Sequence, residues 1–256
     1  MGLLWIMSAR QKRNKGRNYE DMMTIKTTSI SLAIRDGSSM NTYVSQPDGT
    51  PAKQAIIVFQ EAFGINDYIR SICDRFANQG YLAIAPELFH RTAPGFDAPY
   101  TDFPKAKEEM NKLTDEGMLA DTEACHTWLQ EQGIPSSQLH AVGFCMGGRA
   151  AFLANTALPF ASAVSFYGSR TALLLDRASL LSGKMLFLYG GQDTGIDLGQ
   201  RQAIEEALSA AGKPYTQLVF SEAGHGFFCD ARAAYHEPSA RLAWPFVLEF
   251  LTQASS

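Results

Sequence analysis

Apolar and polar residues alternate early in the chain and then give way to unbroken apolar runs separated by helical spacing. Residues 29–35 and 41–45 alternate as antiparallel edge strands do, with Asp36-Gly37-Ser38-Ser39 as the turn between them. Residues 55–60 form a continuous apolar run, the pattern of a strand covered on both faces. From about 67 to 78, Ile69, Ile72, Cys73, Phe76 and Ala77 fall on one side of a helix that Gly80 stops, and residues 81–85 read as the next strand. A Pro- and Gly-rich stretch over 88–101 reads as a long loop on the substrate side. Two helical stretches precede Gly133. Strand, turn and helix then occupy 138–155, and further strands are expected at 161–166, 184–189 and 216–220, with helices near 198–211 and 238–252. Alternating strands and helices with right-handed crossovers predict an α/β chain with a mainly parallel, doubly wound sheet and helices on both faces.

Composition narrows the picture. With 256 residues, 46% of them apolar and 19% charged, the chain suits a single α/β domain over 26–256. A net charge of −4 offers no basic field for nucleic acid, and no apolar run is long enough to span a bilayer. Cys73, Cys125, Cys145 and Cys229 lack disulfide or zinc spacing, which points to a reducing cytoplasm. Residues 1–25 read as a disordered extension, with Met22 or Met23 as candidate starts. Its apolar segment is shorter than a signal-peptide core and its basic residues follow that segment, the reverse of a secretory signal. A monomer or homodimer is expected.

Three motifs carry the chemistry. Gly143-Phe144-Cys145-Met146-Gly147 joins a strand to a small-residue helix. Such a turn strains the central residue, and its flanking glycines remove side chains that would collide. Cys145 then stands above the sheet at a helix N-terminus, which favours negative charge on sulfur and offers a backbone N–H to an oxyanion. Gly190-Gly191-Gln192-Asp193 places a carboxylate at the end of another strand, and Gly224-His225-Gly226 an imidazole on a later loop. Nucleophile, acid, histidine is the chain order of the α/β-hydrolase fold.

With these motifs, and with Phe59-Gln60-Glu61-Ala62-Phe63-Gly64 and Gly80-Tyr81-Leu82-Ala83-Ile84-Ala85-Pro86, the chain resembles the dienelactone hydrolase family over about residues 28–252. The resemblance implies Cys145 as nucleophile, His225 as base and later acid, and Asp193 as the group orienting the imidazole. It implies that Glu61 pairs with the resting thiol, and that the amides of Ala62 and Met146 form the oxyanion hole. No metal or organic cofactor is implied. Phe63, Arg91, Tyr167 and Phe227 are candidate substrate contacts, with plain core as the other reading of the phenylalanines. Arg149 and Arg170 are further candidate cations, Arg149 equally a structural ion-pair partner. The founding enzymes hold a lactone's carboxylate with two arginines, one of them four residues after the histidine. Here that position is Cys229, no arginine lies near the other place, around residues 102–107, and Gly226 stands where those enzymes carry serine.

The expected activity is hydrolysis of a small ester or (enol-)lactone through an acyl-thioenzyme. Two alternatives share the residues: a thioesterase, and a redox- or electrophile-sensing thiol protein on a hydrolase scaffold. His90, His126, His140 and His236 are expected at surface or strand positions without a role.

Overall fold

The computed structural model describes residues 24–255. The expectation for residues 1–25 therefore lies, all but its last two positions, outside the described residues, and Ile25 already opens the first strand. Strands β1 (Ile25–Ala33), β2 (Ser39–Pro47), β3 (Gln54–Phe59), β4 (Tyr81–Pro86), β5 (Leu139–Phe144), β6 (Ser162–Phe166), β7 (Lys184–Gly190) and β8 (Tyr215–Phe220) form one sheet in the order β1-β2-β4-β3-β5-β6-β7-β8. β2 runs antiparallel to β1 and β4, and every other neighbouring pair is parallel. The parallel strands β3 to β7 are apolar and almost wholly buried, as strands sandwiched between helices must be.

The helices are α1 (Asp67–Ala77), α2 (Phe103–Lys112), α3 (Asp115–Glu131), α4 (Met146–Ala157), α5 (Leu198–Ala210) and α6 (Glu237–Ala254). α1 shows why its sequence folds locally. Asn66 caps it by accepting from the Ile69 amide, and the stripe Tyr68, Ile69, Ile72, Cys73, Phe76 is buried against the sheet. Its Phe76 meets Trp244 of α6 with ring centroids 4.8 Å apart, so these two helices share one face. α3 and α4 contact each other, and α4 packs on β3, β5 and β6 from the other face. Between β6 and β7 the chain forms a 3₁₀ helix, Thr171–Leu180, that the sequence pattern does not anticipate.

Strand order reverses at β3. The connection from β3 leads to β4 on one side, while β5 lies on the other. In open α/β sheets a crevice forms at the carboxyl ends of the strands where the order reverses, and ligands bind there. Here that crevice is bounded by the residues after β3, which include Glu61 and Ala62, and by Cys145 after β5. Its floor is aromatic: Phe166 lies 4.9 Å from Phe144 and 4.6 Å from Phe228, and Tyr167 lies 5.5 Å from Phe227, all centroid to centroid. Such packed rings fix the loops above them.

The turn at Cys145 is sterically closed. A Cβ on Gly143 would overlap the Gly147 carbonyl, and one on Gly147 would overlap the carbonyls of Phe59 and Gln60. Because those obstacles are backbone, Gly147→Ala is expected to cost about 2 kcal/mol or more and to lower Tm by about 5 °C. Calorimetry on the purified variant measures this; an unchanged Tm would mean that the turn relaxes freely.

Candidate active site

Cys145 is the N-cap of α4 and adopts φ 56° and ψ −118°, a positive-φ conformation unusual for a residue with a side chain. The turn is held from outside: its amide donates to Phe166 O at 3.0 Å, and its carbonyl accepts from the amides of Gly148 at 3.0 Å and Ser169 at 3.2 Å. The sulfur lies 3.9 Å from Ser169 Oγ, and 8% of the residue is exposed. Met146 opens α4, so its amide belongs to the first-turn N–H groups that the helix ladder leaves unpaired.

Asp193 follows β7 and His225 follows β8. His225 Nδ1 donates to Asp193 Oδ2 at 2.7 Å, which leaves the other ring nitrogen free of that carboxylate. Burial disfavours the imidazolium, but Asp193 and Cys145 outweigh it and raise the histidine's pKa to about 10. Burial also pushes the Asp193 carboxyl up, yet His225 and the amides of Gly195 and Ile196 hold it below its ordinary value. Asp193 does not cap α5; Asp197 does, by accepting from the Gln200 amide. The Tyr167 ring centroid is 5.1 Å from that of His225, and Tyr167 is fully buried. Phe63 and Phe227 are buried in the core.

Glu61 departs from the expectation of a thiol partner. Its Oε1 accepts from Arg232 at 3.0 Å, and 1% of the residue is exposed. Burial raises its pKa against the pull of Arg232 and His225. Arg232, seven residues after His225, is the site residue that the sequence reading missed. It lies over the rings of Phe63 (5.5 Å) and Tyr100 (5.7 Å). Gly226, with φ 82°, makes room for it, since a Cβ there would meet the guanidinium. Arg232 is a charged residue on the histidine's own loop and so visible in the sequence, but it stands three positions beyond the place where the founding enzymes carry arginine. Tyr100, on the long loop, accepts from Asn66 at 3.0 Å and from the Cys229 thiol at 3.3 Å.

Arg91 is not brought to this crevice as a substrate contact. It bonds Asp36 at 2.6 Å and Asp121 at 2.8 Å, tying the long loop to the β1–β2 turn and to α3. Arg149 pairs with Asp115 at 2.6 Å, and exposed Arg170 reaches Asn111 at 3.4 Å. His90 and His126 are buried rather than at the surface: His90 bonds Asp121 at 3.1 Å and His126 the Pro159 carbonyl at 3.1 Å. Among the described residues, no helix is long and apolar enough to cross a membrane.

Comparison with known proteins agrees with this architecture. The sequence pattern of the Dienelactone hydrolase family matches residues 40–255. A provisionally named carboxymethylenebutenolidase of Yersinia pestis is 36% identical over 228 residues, covering 85% of each chain. The crystal structure of a provisionally named dienelactone hydrolase from Klebsiella pneumoniae superposes with a TM-score of 0.82 at 33% identity, covering 90% of this chain and 99% of that one. Brefeldin A esterase, at 13% identity and a TM-score of 0.70 over 92% of this chain and 78% of its own, shares the fold. The chain therefore belongs to the dienelactone hydrolase family, hydrolases built on the α/β-hydrolase fold.

Proposed function

We propose that the protein hydrolyses small esters or lactones with Cys145 as nucleophile. The observation that carries this reading is the 2.7 Å bond from His225 to Asp193, together with a cysteine held at a strained strand-to-helix turn. Thiolate attack on the carbonyl forms a C–S bond and an oxyanion received by the amides of Ala62 and Met146. Collapse breaks the C–O bond, and the imidazolium of His225 gives its proton to the departing alkoxide. Acylation removes the sulfur's charge, one of the influences that raise the His225 pKa, so the ring surrenders that proton more readily. The now neutral imidazole takes a proton from water, whose oxygen attacks the thioester; the acid leaves, and thiolate and imidazolium are restored.

Glu61, held by Arg232, acts in this scheme by setting the charge beside the nucleophile. The four cysteines are free, which supports a reducing, cytoplasmic setting. The test is hydrolysis of 4-nitrophenyl acetate before and after iodoacetamide. Stoichiometric alkylation of Cys145, located by peptide mass spectrometry, is expected to remove the activity in parallel with its extent. Full activity in enzyme alkylated at Cys145 would end the proposal.

A further inference from the structure

The geometry points to a site that takes uncharged esters or lactones and discriminates against acyl groups bearing a carboxylate. The inference rests on the reading of Cys145 as an acyl-transfer nucleophile and concerns what surrounds it. Arg232, a partly buried cation beside the crevice, is already claimed. Its guanidinium bonds Glu61 at 3.0 Å, and both side chains are largely shielded, 19% and 1% exposed, so water does little to weaken the pair. The pair is locked from several sides: Gly226 leaves the space, Phe63 and Tyr100 lie under the guanidinium, and Glu61 sits at the end of β3.

Among the described residues, other cations are ion-paired, stacked on aromatic rings or exposed. Arg91 is neutralised by Asp36 and Asp121, and Arg149 by Asp115. Arg75 is sandwiched against Phe228 and Trp244. Arg170 and Lys105 are exposed, where salt screens them beyond a Debye length. His225 is balanced by Asp193, 2.7 Å from its Nδ1.

With the Glu61–Arg232 and Asp193–His225 pairs each cancelled, a thiolate at Cys145 leaves the crevice with a net negative charge. A second carboxylate brought to Arg232 would approach the buried charge of Glu61 and that thiolate together. An uncharged acyl chain meets no such repulsion, and the oxyanion formed from it is received by backbone amides that need no cation. The specificity thus comes from a repulsive element, the buried Glu61, as much as from any attractive contact.

A matched pair of substrates reads this directly: mono-4-nitrophenyl adipate and its methyl ester, which differ only in the distal carboxylate. The expected result is a kcat/KM at least about tenfold higher for the methyl ester. Glu61→Gln keeps the shape of the side chain but leaves Arg232 uncancelled, and should shift that ratio toward the free acid by about tenfold, whatever it does to the absolute rates. If Glu61→Gln turns over too slowly to measure, protection of Cys145 from iodoacetamide by monomethyl adipate against dimethyl adipate gives the same ratio without catalysis. Equal or acid-favouring ratios in the wild type, or a ratio unmoved in Glu61→Gln, would overturn the inference. The iodoacetamide-sensitive hydrolysis of 4-nitrophenyl acetate, which carries no second group, stands or falls separately and reports on the acyl-transfer reading alone.

Discussion

Cys145→Ala is expected to lower kcat/KM for 4-nitrophenyl acetate by about 10⁴-fold or more, because the groups of a nucleophilic unit fail together when the attacking atom is removed. The control is another thiol of the same region. Cys229 is buried and bonds Tyr100, not the imidazole. Cys229→Ala is therefore expected to stay within a few-fold of wild type and to keep the iodoacetamide sensitivity that Cys145→Ala loses. Alanine at 145 keeps the Cβ, so the backbone strain is unchanged, and it removes only a sulfur; the fold should therefore persist and circular dichroism should be unchanged. Steady-state rates on both variants, corrected for the uncatalysed reaction, decide the matter. Substantial turnover by Cys145→Ala would move the chemistry elsewhere in the crevice. Loss of activity in Cys229→Ala with Cys145 alkylation intact would make the second thiol a participant.

The sheet was legible in the sequence because its central strands are buried on both faces and therefore read as apolar runs. Expected and observed bounds for β3 to β8 differ by a residue or so. Chain order made the positions of Cys145, Asp193 and His225 legible too, since each closes a strand at the same sheet edge. What escaped was set by contacts between distant segments. Arg232 and Glu61 are 171 residues apart, and neither position alone says that the two charges cancel. His90 and His126 were expected at the surface or on strands because polar residues usually stay wet. Each instead finds its hydrogen-bond partner in the interior, and periodicity cannot see such a pairing. The 3₁₀ helix Thr171–Leu180 was missed for a related reason. It begins at Arg170 in a left-handed conformation without a side-chain cap, Leu173 and Leu180 point to solvent, and its buried residues Thr171, Leu174 and Ala178 include one large apolar side chain, so neither a start signal nor an apolar stripe marks it.

Asp193→Asn should be the other severe substitution, with kcat/KM down by about 10³- to 10⁴-fold. Aspartate accepts the Nδ1 proton and so fixes which ring nitrogen faces Cys145, whereas the asparagine amide can present a donor and favour the wrong tautomer. The variant also loses a charge that raises the His225 pKa. In the wild type that pKa is about 10, and in the variant it should fall toward the ordinary 6.5, visible as a shifted titration of the ring protons by NMR. The same shift has a stability consequence whose sign is fixed. A group held at a higher pKa in the folded state than in the unfolded one contributes stability that is complete below the unfolded value, near pH 6.5. That contribution fades as pH rises through about 10. Asp193 itself is depressed, so its own contribution is present above its unfolded value near 3.8 and is lost as pH falls through the folded one. Wild type should therefore exceed Asp193→Asn in Tm most clearly between about pH 5 and 7, and the gap should close toward pH 10.5 and again in strong acid. A gap that stays constant from pH 6 to 10.5 would mean that the imidazolium is not what Asp193 stabilises, and the charge assignment at His225, with the proton transfers built on it, would have to be withdrawn.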